Sequence, residues 1–136
     1  MMRRFLLIGL VLQVLTLTSY RSNAESELMQ QVNAEQVTQF LKGHPLWILK
    51  EGKLSRLFRL ENGFKGAIAF VQDLVGPADH MNHHPDLQIS YNRVTVTLTT
   101  HDAGGLTTAD LKLAEVIHRI YADRHATPSP PTQGKR

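Results

Sequence analysis

Three histidines in this sequence have the residue type and spacing of an acid–base site. His83 and His84 are adjacent and precede Pro85, and His101 follows about 17 residues later. An imidazole has an ordinary pKa of about 6.5, so near neutral pH one ring can donate a proton while its neighbour accepts one. Repulsion between neighbouring imidazolium charges separates their pKa values and so divides the two roles. We interpret the three histidines as a candidate catalytic cluster for proton transfer.

Two carboxylates are spaced to support this cluster. Asp79 lies four residues before His83, which is one helical turn, so its side chain could orient an imidazole. Asp110 follows the sequence Thr107-Thr108-Ala109 and could do the same, or it could cap the N-terminus of the last helix. Judged in isolation, Asp110 is better explained as a helix cap.

Two other interpretations of the histidines remain open. An adjacent His-His pair is often only a solvent-exposed corner of the chain. Zinc is the second alternative, because the chain has no cysteine but contains four imidazoles that could act as ligands. These four are His80, His83, His84 and His101.

The first 24 residues have the three-part pattern of a secretory signal peptide. Arg3 and Arg4 precede an apolar stretch at residues 5–17, and the segment ends in small residues at Ala24. The apolar stretch is shorter than the roughly 20 residues that span a bilayer, so we predict cleavage after about Ala24 and no stable membrane anchor. The predicted location is periplasmic or secreted. The alternative is a cytoplasmic protein that starts at Met29.

The charge of the chain does not predict a nucleic-acid partner. The whole sequence has a formal net charge of +3, from 15 basic and 12 acidic side chains. Three of the arginines lie within residues 1–24, which contain no acid, so cleavage leaves 12 basic and 12 acidic side chains. A basic binding surface is therefore not expected.

Capping patterns and apolar spacing predict three helices. Asn33 and Gln36 form a capping box for the first helix, and Thr107 and Asp110 repeat this pattern for the last. Apolar residues at helical spacing from Phe64 to Val75 predict the middle helix. Gly76-Pro77 should then kink this helix, or stop it and start a fresh turn.

Alternating apolar residues predict four strands in two hairpins. The first pair comprises residues 47–50 and 54–60, and the second comprises residues 87–91 and 94–100. The order is therefore α-β-β-α-β-β-α, which favours an α+β fold with a largely antiparallel sheet and helices on one face. The second hairpin returns the chain to its starting end, so His101 should lie near His83 and His84. The domain spans residues 25–125, and residues 126–136 form a predicted disordered tail.

The spacing of the polar residues resembles the signature of the pterin-4a-carbinolamine dehydratases. The similarity extends over about residues 30–122, from the Asn33 helix through the Trp47 strand to the start of the last helix. The residues that match the signature are Asp79, His83, His84, Pro85, Tyr91, His101 and Asp110.

The resemblance implies a four-stranded antiparallel sheet with helices on one face, in a homodimer or homotetramer. It also implies dehydration of 4a-hydroxytetrahydrobiopterin to the quinonoid dihydropterin, in tetrahydrobiopterin recycling, without a metal or organic cofactor. His83 and His101 match histidines that protonate the departing hydroxyl, and His84 matches one that contacts the pterin.

The same resemblance gives the other matching residues a supporting or substrate-binding role: Asp79, Pro85, Tyr91 and Asp110. Two alternatives stay open beside the enzyme. The first is a non-catalytic binding or assembly protein on the same fold. The second is a periplasmic metal-binding protein that uses the imidazoles.

Overall fold

The described chain folds as helices packed on one antiparallel sheet. The computed structural model describes residues 22, 23 and 25–125. The predicted signal segment, apart from residues 22 and 23, and the predicted tail at residues 126–136 lie outside these residues. In chain order the elements are α1 (Ala34–Gly43), β1 (Ile48–Lys50), β2 (Lys53–Arg59), α2 (Gly63–Met81), β3 (Asp86–Ser90), β4 (Arg93–Leu98), a 3₁₀ turn (His101–Ala103) and α3 (Thr108–His125).

This order confirms the predicted α-β-β-α-β-β-α arrangement and the α+β class. Both predicted hairpins form, and all three strand pairs are antiparallel. The sheet order is β1-β2-β4-β3, so the second strand of each hairpin lies in the centre of the sheet. Within the part of the chain that the structure describes, no helix is long and apolar enough to cross a membrane.

The helices cover only one face of the sheet, because the two central strands alternate between buried and less buried residues. Their inward side chains are Leu54, Arg56, Phe58, Val94, Val96 and Leu98. Phe58 lies near the middle of the core, where its ring contacts those of Trp47, Phe70 and Tyr121. The opposite face of the sheet carries hydroxyl and charged side chains together with the exposed Ile48 and Leu57.

Helix α2 continues past the predicted interruption. It runs without a break from Gly63 to Met81 with Pro77 inside it, so of the two outcomes predicted at Gly76-Pro77, a kink or a stop, the stop is wrong. Ala78, in the turn after Pro77, is buried against the core. Packing of the last turn therefore stabilises the helix despite the backbone hydrogen bond that proline cannot donate.

One cation lies on the buried face of the sheet. Arg56 is buried, and its guanidinium lies 4.3 Å from the centroid of the Phe58 ring. Its Nη1 donates a hydrogen bond of 2.8 Å to Nδ1 of His118, so that nitrogen carries no proton. Burial, the positive charge of Arg56 and the neighbouring His44 lower the pKa of His118 below its ordinary value.

This arrangement predicts a loss of stability in mild acid. The unfolded chain protonates His118 near its ordinary pKa of about 6.5, whereas the folded protein does so at lower pH. Between these two values the unfolded state binds more protons, so the free energy of unfolding falls as the pH decreases. We expect His118→Gln to flatten this fall between about pH 7.5 and pH 5, measured by urea unfolding.

The control for this experiment is the exposed His80, since His80→Gln should leave the pH dependence unchanged. If the free energy of unfolding had the same pH dependence in wild type and His118→Gln, the lowered pKa of His118 would be contradicted.

Candidate active site

The candidate site starts where α2 ends. Asn82 takes the left-handed conformation, with φ of 46°, directly after the last helical residue. The backbone N–H of His83 then bonds to the carbonyl oxygen of Ala78 at 3.0 Å. This pattern is a Schellman-type helix end, which reverses the chain and fixes the direction of the following residues. It holds His83 and His84 at the entrance to β3.

The second hairpin returns the chain to this corner. In the β3–β4 register Asp86 pairs with Thr97 and Leu87 pairs with Val96. Continued beyond the strand ends, the same register places Thr100 opposite His83. Tertiary structure therefore brings the end of β4 back to the histidine pair, as the hairpin predicted.

His83 contacts Asp110 in the interior. The Nε2 atom of His83 lies 2.7 Å from Oδ1 of Asp110, and the two residues are 9% and 0% exposed. Asp110 is the third residue of α3, and this helix packs beside α2. The contact therefore joins the end of one helix to the beginning of the other.

The second oxygen of Asp110 is also fully engaged. Oδ2 accepts hydrogen bonds from the Thr100 hydroxyl and from the Thr107 backbone N–H, both at 2.8 Å. The two threonine hydroxyls lie 2.8 Å apart, and that of Thr107 is 3.3 Å from the same Oδ2. Asp110 therefore caps α3 and binds His83 at once.

These hydrogen bonds determine the charge of Asp110. Burial by itself would raise the pKa of this carboxyl, but the hydrogen bonds from His83, Thr107 and Thr100 outweigh burial and lower it below its ordinary value. Asp110 is therefore an ionised, buried acceptor at neutral pH.

His84 belongs to a second pair, at the surface. Its Nε2 lies 2.9 Å from Oδ1 of Asp79, and the two side chains are 58% and 67% exposed. Solvent screens such a pair, so it contributes little to stability. The contact does orient the ring, which stays largely exposed.

The structure does not bring every predicted residue together. His101 opens the 3₁₀ turn directly after Thr100, and its side chain is exposed. Within the described residues, no hydrogen bond or ion pair joins it to His83 or His84, whose partners are Asp110 and Asp79. Pro85 links the histidine pair to β3. Tyr91 lies beyond β3, a strand about 17 Å long, and its hydroxyl packs against Gly63 at the far end of the hairpin.

Sequence reasoning did not assign Thr100 or Thr107 to the site. Thr107 was recognised only as part of a capping box, and Thr100 only as the end of a strand. The alternation of side chains along a strand could have revealed Thr100, because positions 96, 98 and 100 face the same side and Val96 and Leu98 point inward. A threonine at an inward position beside a histidine needs a buried hydrogen-bond partner.

Two other features of the surroundings bear on ligands. Among residues 22, 23 and 25–125, no three His, Asp or Glu side chains form a group that could hold a metal ion. A hollow of about 400 Å³ lies on the uncovered face of the sheet. None of the predicted site residues lines it, but Asp86, which directly follows Pro85, does.

Comparison with known proteins gives one consistent result. The model of the family described as Pterin 4 alpha carbinolamine dehydratase matches residues 30–120. A protein of Nostoc punctiforme with the provisional name pterin-4-alpha-carbinolamine dehydratase is 44% identical over 95 residues, which are 70% of this chain and 98% of that protein. A protein of Chloroflexus aurantiacus with the same provisional name is 45% identical over 92 residues, which are 68% of this chain and 98% of that protein.

A solved structure shares the fold. The crystal structure of a transcriptional coactivator/pterin dehydratase from Brucella melitensis superposes with a TM-score of 0.64 at 28% identity. The match covers 68% of this chain and 99% of the other. The matched lengths show that the similarity extends over the whole of these relatives.

Proposed function

The chain belongs to the pterin-4-alpha-carbinolamine dehydratase family of hydro-lyases, and we propose that it dehydrates 4a-hydroxytetrahydrobiopterin by histidine general acid–base catalysis. The product is the quinonoid dihydropterin, and the reaction serves tetrahydrobiopterin recycling. The observation that carries the proposal is the buried contact between His83 and Asp110, with His84 exposed beside it.

The reaction requires two proton transfers. The bond between C4a and the hydroxyl oxygen breaks, and its electron pair leaves with the oxygen. That oxygen gains a proton and departs as water, while a ring nitrogen of the pterin loses a proton. An acid and a base are therefore needed on one substrate, and such assistance accelerates reactions by typically 10²–10⁴-fold.

The structure supports a division of these roles. His84 and His101 are exposed and can approach a ligand from solvent. In the proposal His84 contacts the pterin and exchanges the ring proton, while His83 and His101 protonate the departing hydroxyl. Asp79 orients His84, and Asp110 holds His83. Pro85 and Tyr91 keep supporting roles, Tyr91 by fixing the far turn of the hairpin.

Turnover of the purified protein tests the proposal. We expect wild-type protein to dehydrate 4a-hydroxytetrahydrobiopterin, and His84→Ala and His101→Ala each to lower kcat by about 100-fold. The two exposed imidazoles are expected to transfer protons and not to stabilise the fold, so the unfolding midpoint should stay unchanged.

The control is His80→Ala, which removes an exposed imidazole from α2 just before the site. Full turnover in His84→Ala or His101→Ala would refute histidine catalysis at these positions. A wild-type protein that binds the pterin without turnover and retains a protein partner would instead favour the non-catalytic assembly role.

We further propose that the protein is a homodimer or homotetramer. Helix α2 carries apolar side chains at spacings of four, three and four residues, the pattern of a helix-pairing seam. We call these the α2 stripe: Phe64, Ile68, Val71 and Val75. Three of these side chains are exposed, and Val71 is half-buried against the core. Phe64 and Val75 are 55% and 54% exposed in the single chain, so a second copy would bury apolar area there.

Charge introduced into the α2 stripe should separate the subunits. We expect the double variant Ile68→Glu, Val75→Glu to sediment as a monomer, because assembly would bury two unpaired carboxylates. Lys65→Glu changes an exposed residue of the same helix outside the stripe and should leave the wild-type mass unchanged. Equal sedimentation of wild type and the double variant would exclude the stripe as the interface.

We also propose that the protein is exported. This proposal depends on the sequence of residues 1–24 alone. N-terminal sequencing of the protein from its native host should give Glu25 as the first residue. A first residue of Met1 would show that the segment is retained, and a start at Met29 would indicate the cytoplasmic form.

A further inference from the structure

The hydrogen bonds of Asp110 are those of an ionised carboxylate. Its Oδ2 faces the donors of Thr100 and Thr107, so a proton on that oxygen would meet other protons. The lowered pKa of the carboxyl agrees with this, since the ionised form is the acceptor of every contact. Oδ1 must then accept from Nε2 of His83, and this nitrogen must carry a proton.

When the single proton of the neutral His83 ring is on Nε2, its other ring nitrogen, Nδ1, carries no proton. Nδ1 forms no hydrogen bond within the described residues. The side-chain atoms there that are fully buried and unpaired are Nε1 of Trp47 and Nε of Arg56, and Nδ1 of His83 is not among them. It is therefore the nitrogen of His83 that a ligand can approach.

We infer that Thr100 and Thr107 are positioning residues: acting through Asp110, they keep one proton of His83 on Nε2, so that Nδ1 is the nitrogen that receives a second proton and delivers it to the departing hydroxyl. The role of Nδ1 toward the substrate rests on the proposed dehydratase function. The position of the His83 proton on Nε2 follows from the hydrogen bonds of Asp110 and does not depend on that function. Both threonines are buried, at 6% and 0% exposure, so they act through the carboxylate and not by touching the pterin.

The two threonines reinforce each other through their hydroxyls. These lie 2.8 Å apart, so when Thr100 donates to Asp110 its oxygen can accept from Thr107. The result is a short chain of hydrogen bonds that ends on Oδ2. If the Thr100 hydroxyl is lost, Oδ2 loses a donor and the Thr107 hydroxyl loses an acceptor. Asp110 can then rotate or take the Nε2 proton from His83, and the tautomer is no longer fixed.

The tautomer can be measured directly, without turnover. Long-range ¹H–¹⁵N correlation spectra of protein labelled with ¹⁵N-histidine distinguish a proton on Nε2 from one on Nδ1. We expect neutral His83 in wild type to be entirely the Nε2–H form. Thr100→Val keeps the side-chain shape but removes the hydroxyl, and it should give a mixture of the two tautomers. Thr100→Ser restores the hydroxyl and should restore the single form.

Kinetics supply the second readout. Because Thr100 does not touch the substrate, Thr100→Val should lower kcat by about tenfold and leave KM unchanged, and Thr100→Ser should recover most of kcat. Thr107→Ser, which retains its hydroxyl, should likewise keep the wild-type tautomer. The control is Thr38→Val on α1, where the lost hydroxyl bonds only the Ala34 carbonyl oxygen.

The outcomes separate this inference from the proposed function. An Nδ1–H tautomer of His83 in wild type overturns the inference, as does an unchanged Nε2–H form with full kcat in Thr100→Val. A wild-type Nε2–H form that Thr100→Val disturbs, in a protein without dehydratase turnover, supports the threonine positioning and refutes the proposed function.

Discussion

Asp110→Asn is expected to lower the dehydratase kcat by about 100-fold or more and the free energy of unfolding by about 3 kcal/mol. An ionised Asp110 accepts bonds on both oxygens from His83, Thr100 and Thr107. An asparagine replaces one of these oxygens with an NH₂ group, which donates. One buried donor then loses its acceptor, and His83 loses the negative charge that fixes its proton.

Both effects are measurable on the same preparation. Steady-state turnover gives kcat, and urea unfolding gives the free energy. Asp123→Asn makes the same change on the exposed surface of α3 and should alter neither quantity. A folded Asp110→Asn protein with kcat within about twofold of wild type would show that the buried pair does not serve the reaction.

Gly66→Ala is expected to destabilise the protein by about 3 kcal/mol, because a Cβ at this position would overlap the backbone oxygen of Glu61. The overlap is difficult to relieve. Leu60, the residue before Glu61, is tied to Asn92 by hydrogen bonds in both directions. The start of α2 would therefore have to move away from the end of β2.

A second glycine offers the matched comparison. Gly43 is the last residue of α1, and a Cβ there would meet nothing within 4 Å. Gly43→Ala should change stability by less than about 1 kcal/mol, with a gain expected from helix propensity. Urea unfolding of both variants measures the difference. If Gly66→Ala proved as stable as Gly43→Ala, the backbone oxygen of Glu61 could not lie as close to position 66 as the structure places it.

The elements of the fold were predictable because they depend on local physics. The Asn33–Gln36 capping box forms as predicted, with both reciprocal hydrogen bonds. Alternation of β-branched residues predicted β4 within two residues of its observed end. The stop, one of the two outcomes predicted at Gly76-Pro77, does not occur, because burial of the last turn of α2 sustains a helix that the intrinsic preference of proline disfavours.

The site was predictable only where sequence spacing fixes geometry. Asp79 was placed by its spacing one helical turn before His83, where it could orient an imidazole. The fold decides that this imidazole is His84, because His83 bonds Asp110. The return of β4 to His83 followed from the hairpin. The role of Tyr91 stays a prediction, because a strand about 17 Å long separates it from the histidines, as the predicted hairpin requires.

The three histidines thus illustrate what each source of information determined. By itself the sequence identified the family, the helices, the two hairpins and the residues able to transfer protons, since these depend on composition and on contacts within short segments. Only the tertiary structure paired β2 with β4, buried Arg56, and joined His83 to Asp110, Thr100 and Thr107. The side-chain contacts among them join residues from 10 to 62 positions apart, or depend on contacts that do. They form because packing the helices on the sheet excludes water. Each buried polar group then has only the hydrogen-bond partners that the fold supplies.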